Sequence, residues 1–373
     1  MKFIINREVL LKSISHAQSI VERRNTIPIL ANVLLRAEEN GLVEITATDM
    51  DIGIIEKVPA DVSQAGAVTV SAHTLFDIVR KLEDGAQIEL GGASESGQIE
   101  LRSGRSTLKL STLPSEDFPT VSQEDLPTEF FMSAGLLRSL IDRTRFAIST
   151  EETRYYLNGI YLHATAGSKG QVLRSVATDG HRLALMEIPL PSNAENMPGV
   201  IVPRKTVNEL RKLLDEVTGD VSIKLSDTRI QFAVDGIDLS SKLIDGTFPD
   251  YDRVIPDGNE KVMAVDRKRF ERAVDLVSTI STEKSRAIKL KLSNDSLVLS
   301  ATSPESGSAT EELQVEYSDD ELEIGFNSRY LIDITQQING DFARFELSDG
   351  ASPTVVREVE ESDALYVLMP MRV

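Results

Sequence analysis

The sequence predicts an α+β protein of three repeated domains, each an antiparallel sheet with two helices packed to one side. Three observations carry that prediction. A helix followed by strands recurs at 7–50, 133–180 and 266–303. A second pattern of short strand, helix and three strands begins at Val68, Val200 and Ile324. The strand-ending triplets Ala47-Thr48-Asp49, Ala177-Thr178-Asp179 and Ala301-Thr302-Ser303 fall in register across the copies. A period of about 120 residues is too long for a solenoid and is the size of a whole domain.

The elements follow from local periodicity. Leu136, Leu137, Leu140 and Ile141 have the spacing of one helix face. Val43, Ile45 and Ala47 alternate as a half-buried strand does, and so do Ile288, Leu290 and Leu292. The polar stretches 120–128 and 250–262 read as linkers, placing the domains at 1–125, 126–252 and 253–373. The helical segments are read at 7–24, 73–82, 135–145, 203–215, 266–275 and 327–337.

Charge is divided between these elements. The chain carries 40 Lys and Arg against 59 Asp and Glu, a net −19. The six helical segments alone hold 18 basic and 10 acidic residues, a net +8, which leaves −27 on everything else. A polyanion is attracted to such helices and repelled by the remaining surface. Aromatic residues make up only 5% of the chain, which argues against base stacking as the binding mode.

Composition narrows the chemistry. With 41% hydrophobic and 27% charged residues, the 373-residue chain is globular. No apolar run approaches a membrane span, and the start MKFIINREVLLK lacks the long apolar stretch of a signal peptide. With no cysteine, disulfides, thiol catalysis and thiolate metal sites are excluded, and a cytoplasmic location is expected. The four histidines, at 16, 73, 163 and 181, are scattered, so neither a metal centre nor a cofactor is expected.

Domain 2 departs from the repeat after its triplet, continuing Gly180-His181-Arg182-Leu183 where domain 1 has Met50-Asp51-Ile52 and domain 3 has Pro304-Glu305-Ser306. Asp179 and His181 have the residue types of an acid/base pair, but no nucleophile or metal-ligand motif accompanies them. The plainer reading is a strand-end turn that needs glycine at positive φ.

Several segments taken together resemble the bacterial DNA polymerase III β-subunit family, the processivity sliding clamps. They are LSTLP and DFP within 110–119, RYYLNG at 154–159, ATDGHRLA at 177–184, IVPRK at 201–205, SKLIDGTFPDY at 241–251, EIGFN at 323–327 and YVLMPMR at 366–372. The resemblance spans the whole chain. It implies a non-catalytic homodimeric ring around double-stranded DNA, with helices lining the hole and no base-specific readout. Implied partners are the polymerase III catalytic subunit, the clamp loader and other proteins carrying short clamp-binding peptides, at the nucleoid. No membrane role is implied.

Carried over residue by residue, the resemblance implies a partner-peptide pocket of Arg154, Tyr156, Leu157, Thr178, Gly180, His181, Arg182, Leu183, Pro249, Val254, Asn327, Tyr330, Val367, Met369, Pro370, Met371 and Arg372. Flexible, polarizable Met side chains suit a site that accepts several sequences. For DNA it implies Arg24, Arg80, Tyr155, Tyr156, Arg204, Lys205, Arg253 and Arg286; for the dimer seam, Arg102, Arg105, Leu108, Thr279, Ile280, Glu305, Glu311 and Glu312. The chain departs from the family pattern at Ser285, Ala351, Pro353 and Val373. The competing class is a repeat-built scaffold with no DNA role, which would lack topology-dependent retention on DNA.

Overall fold

The computed structural model describes all residues except Arg24, 93–96, 122–124, Lys169, 282–285, 361–362 and Val373. One unit recurs six times: a strand, a helix entered directly from it, then three antiparallel strands. The helices are α1 (Arg7–Ile20), α2 (Ala72–Lys81), α3 (Ala134–Thr144), α4 (Arg204–Leu213), α5 (Arg267–Ser278) and α6 (Ser328–Thr335), and one extra strand, Asp61–Gln64, follows the first unit. The sequence reading missed the strands that lead into α1, α3 and α5, namely Lys2–Asn6, Thr128–Ser133 and Lys261–Asp266. No turn residues separate these strands from their helices. The residue ending the strand is itself the cap: Asn6 accepts from the Glu8 N–H and Asp266 from the Arg269 N–H. Ser71 and Asn327 cap α2 and α6 in the same way.

The segment read as a helix over 7–24 is shorter, because Val21 takes extended backbone (φ −77°, ψ 124°) and α1 stops at Ile20. In the other direction, α5 runs on to Ser278. The charge division survives both changes. The observed helices hold 15 basic and 7 acidic residues, again a net +8.

The chain forms two compact units. The first comprises 1–135, 191–197 and 205–243 and is built on a single 13-stranded sheet. α1 lays Leu10, Ile14, Ala17 and Ile20 against the core, which the alternation in the strand Leu42–Thr48 completes from the sheet side. The second unit comprises 136–190, 198–204 and 244–373, with an 8-stranded and a 4-stranded sheet. There α5 buries Phe270, Ala273, Val274 and Val277, with the Phe270 ring 5.2 Å from that of Phe345. Among the strands that close a half of a domain, one in each unit keeps an open edge. In the first, Ser106–Leu113 pairs fully with Gln98–Ser103, but its other edge is bonded only at Thr112 and Leu113. In the second, Gly307–Gln314 pairs only with Ser296–Ser303.

A charged cluster with a buried centre at His16 and Glu56 ties α1 to its surroundings in the first unit. His16, 8% exposed, holds Glu56 through Nδ1 (2.9 Å) and Glu216 through Nε2 (3.3 Å). Ser13 Oγ donates to the other Glu56 oxygen (2.7 Å), and Lys12 Nζ lies 3.0 Å from Glu216. Burial disfavours the charged imidazole, but the two carboxylates outweigh it and its pKa is raised. The folded protein therefore binds the His16 proton more tightly than the unfolded chain. The stabilisation is fully present below the ordinary value of 6.5 and is lost as pH rises through the raised folded value. Thermal melts should show stability declining from pH 6.5 upward, and His16→Gln should flatten that slope. An unchanged slope in the variant would exclude His16 as its source. His16→Ala, which leaves the buried Glu56 without its cation, should cost roughly 3 kcal/mol.

Candidate peptide cleft and helix surfaces

The turn after the triplet in domain 2 is built by its own polar side chains. The Gly180 N–H donates to Thr178 Oγ1 (3.0 Å), and Thr178 Oγ1 donates to the Arg182 carbonyl (2.7 Å). Asp179 Oδ1 accepts the N–H groups of His181 (2.9 Å) and Arg182 (3.1 Å). Gly180 sits at φ +88°, where an added Cβ would lie 2.5 Å from Arg154 Nη1. Domain 1 makes the same turn with Thr48, Asp49 and Ile52, holding Met50 at φ +82°. The turn is thus structural, and the distinguishing chemistry of domain 2 lies in the His181, Arg182 and Leu183 side chains. Asp179 Oδ2 accepts from Arg182 Nε (3.1 Å), so its oxygens serve the turn and this arginine, not the imidazole.

Arg182 is 8% exposed and fully engaged. Nη1 donates to Asp333 (2.6 Å) and Nη2 to the Phe146 carbonyl (2.7 Å). Its guanidinium lies 4.5 Å from the Tyr330 ring centre and 5.0 Å from that of Phe146. It shapes the site from beneath. His181, by contrast, is exposed and stacks over Tyr330 (6.2 Å, 20° between planes). Burial raises the Tyr330 phenol pKa, keeping that wall neutral.

Most of the residues expected at the pocket converge here. Leu157, Leu183 and Val367 are buried in one apolar cluster with Val176, Leu185, Ile201, Phe248 and Tyr251, and Tyr156 and Val254 pack half-buried against it. The strand pair Leu183↔Val367 brings the chain-terminal strand Ala364–Leu368 to the turn. The tail then continues across it. The Met369 N–H donates to the His181 carbonyl (2.9 Å) and the Met371 N–H to the Gly325 carbonyl (2.8 Å). Met369, Pro370 and Met371 stay half-buried, and Arg372 and Pro249 are exposed. At the far side Arg154 is held by Glu151 (2.8 Å) and the Asp179 carbonyl (3.1 Å). The Asn327 side-chain oxygen is committed to capping α6. A brace beneath the wall was not foreseen: the Tyr251 hydroxyl meets Arg174 Nη1 and His163 Nε2, each at 2.8 Å. Tyr251 lies inside the SKLIDGTFPDY segment, but Asp333 and Phe146 gave no sequence signal.

The expected DNA contacts fall into three states. Arg80, Arg204, Arg253 and Tyr155 are exposed, with Arg80 3.0 Å from Asp77 and Arg253 2.6 Å from Asp250. Tyr156 is half-buried, its ring edge-on to Tyr155. Lys205 is tied inward, to Asp49 (2.5 Å) and the Ile20 carbonyl (3.0 Å). Arg286 is exposed at φ +45°, and Arg24 lies outside the described residues. α5 adds three exposed cations that sequence reasoning did not single out, Lys268, Arg269 and Arg272, none ion-paired among the described residues.

Most of the expected seam residues lie on or beside the two open strands. Arg102 pairs with Glu100, Arg105 is exposed and Leu108 is half-buried on the Ser106–Leu113 strand. Thr279 and Ile280 follow α5, exposed and half-buried respectively. Glu305 is exposed in the turn before Gly307–Gln314, which carries half-buried Glu311 and exposed Glu312.

Tandem two-helix domains with basic helices and an apolar cleft finished by the strand Ala364–Leu368 define a DNA-clamp protein. Comparisons with known proteins specify which. Models of the N-terminal, central and C-terminal domains of the DNA polymerase III beta subunit match residues 1–122, 132–250 and 252–372. The beta sliding clamp of Caulobacter vibrioides is 48% identical over the full length of both chains, and that of Escherichia coli K12 is 36% identical over the same extent. A sliding clamp from Bartonella birtlesii, solved bound to griselimycin, superposes with a TM-score of 0.97 at 48% identity over all of both chains. The chain belongs to the DNA polymerase III beta subunit family. It is a non-catalytic processivity clamp of DNA polymerase III that binds DNA and polymerase-related partners. Its fold is three clamp domains of antiparallel sheet and helices, as the repeats predicted. No helix among the described residues is long and apolar enough to cross a membrane.

Proposed function

We propose that two chains, each with domains at 1–125, 126–252 and 253–373, join head to tail into a ring around duplex DNA. The cleft of Leu157, His181, Leu183, Val367 and Met369 takes short hydrophobic peptides of the polymerase III catalytic subunit, the clamp loader and other DNA-processing proteins. The ring works in the cytoplasm, at the nucleoid.

The supporting observation is a pairing rule. In the first unit Ile52–Pro59, which closes the first half of a domain, pairs with Ile237–Lys242, which closes the second half of the next. In the second unit Arg182–Pro189 pairs with Ala364–Leu368 in the same relation. Only Gly307–Gln314 and Ser106–Leu113 lack such a partner among the described residues. The same rule joins the first of these edges to the second edge of another copy. Transferring the register Ile54↔Leu239 sets Ala309 opposite Leu108, both half-buried on the inner face. Unlike edges meeting head to tail close a ring of two when the rotation brings the second pair of edges together as well.

The helix charge supports loose, sequence-independent phosphate contacts, with retention supplied by topology. Loaded protein should remain on nicked circular DNA and run off linear DNA. Arg80→Gln with Arg204→Gln should weaken loading and make the log K against log salt slope shallower by about 2, near 0.9 per lost phosphate contact. Equal retention on both DNA forms would point to ordinary groove binding and overturn the ring.

A further inference from the structure

We propose that Asp77 on α2 of one copy and Thr279 at the end of α5 of the other form the helix-to-helix contact of the seam, with Leu276 buried beside them. This rests on the head-to-tail reading above and adds residues to it.

The six units can be numbered from the first residue of each helix. Position 6 of every second-half helix is acidic: Asp77 in α2, Glu209 in α4 and Asp333 in α6. Position 13 counted from the start of each first-half helix is Ser19, Phe146 and Thr279. Where two successive domains meet within a unit, these positions are tied. In the first unit Ser19 Oγ donates directly to Glu209 Oε2 at 2.6 Å. In the second the Phe146 carbonyl and Asp333 are joined by a single guanidinium, that of Arg182, at 2.7 and 2.6 Å. The remaining pair is Asp77 and Thr279. Thr279 has a hydroxyl to donate, as Ser19 does, and Asp77 Oδ2 takes no part in the Arg80 contact, whereas the Glu209 carboxylate accepts from Ser19 and Lys212 together.

A second observation points the same way. Position 10 of the first-half helices is His16, Arg143 and Leu276. His16 is 8% exposed and the Arg143 side chain 12% exposed, each held by a carboxylate. Leu276 is 57% exposed, the most exposed large apolar side chain among the described residues. The two joints already formed bury this position. The third presents an apolar side chain there, as a surface covered by a second copy requires.

The chain has no cysteine, so introduced thiols report contacts cleanly. Asp77→Cys and Thr279→Cys are made separately in the full chain, mixed in equal amounts, and treated with a short bismaleimide. A linked band of twice the chain mass should form in the mixture and in neither variant alone. Leu108→Cys mixed with Ala309→Cys reports the strand seam independently. Linking of that pair without linking of the 77/279 pair overturns this inference and leaves the ring standing. A monomeric mass for the unmodified protein, with neither pair linking, overturns both.

Discussion

Replacing Leu108 and Ile280 together by alanine should halve the solution mass while each chain stays folded. Both side chains are half-buried in a single chain, and each lies beside an open edge or a helix end, not inside a finished core. Covered by a second copy, each truncation removes a packed aliphatic group worth about 2–5 kcal/mol. Even the low end, about 4 kcal/mol for the pair, weakens association nearly a thousandfold at one seam. Light scattering over a dilution series reads the mass, and circular dichroism reads the fold. A dimer that persists at the concentrations where the unmodified protein is dimeric would place the seam elsewhere.

Removing residues 369–373 should abolish peptide binding and leave the dimer mass intact. The deletion takes away the half-buried Met369, Pro370 and Met371 and the two backbone bonds that lay them between His181 and Gly325. It spares the Leu183↔Val367 strand pair. One or two aliphatic or aromatic anchors burying about 100–200 Å² each gain roughly 2.5–10 kcal/mol, offset in part by ordering the peptide, which sets affinity at micromolar or weaker. Loss of one wall should weaken binding at least a hundredfold, past the range of a fluorescence titration with a labelled clamp-binding peptide. Native affinity in the truncated protein would locate the pocket away from the tail.

Much of this architecture was legible from the repeats, because three copies of one pattern reinforce each other where a single copy is ambiguous. Leu136, Leu137, Leu140 and Ile141 alone suggest a helix; their counterparts in α1 and α5 make it firm. The strands before α1, α3 and α5 escaped notice because the capping residue ends the strand and starts the helix, leaving no punctuation between them. In the cleft, the resemblance pointed to Arg182, and the structure shows what holds its side chain. A buried guanidinium needs partners that periodicity cannot reveal, and they come from Asp333 and Phe146, far away in sequence. The resemblance likewise pointed to Lys205 for DNA, although its nearest neighbours are Asp49 and the Ile20 carbonyl.

The two open strands are unlike: one ends the second half of a domain, the other the first half. An assembly made from such edges is vulnerable to impostors. A chain spoiled on Gly307–Gln314 alone, by proline within the strand, would still offer an intact Ser106–Leu113 edge to a healthy subunit. The pair could form one seam but never the second. Two seams hold a healthy pair and only one holds a mixed pair, so at equilibrium healthy chains prefer each other and a spoiled chain silences them only in large excess. Titrating such a chain into the unmodified protein, and counting what stays on circular DNA, would show how large that excess must be.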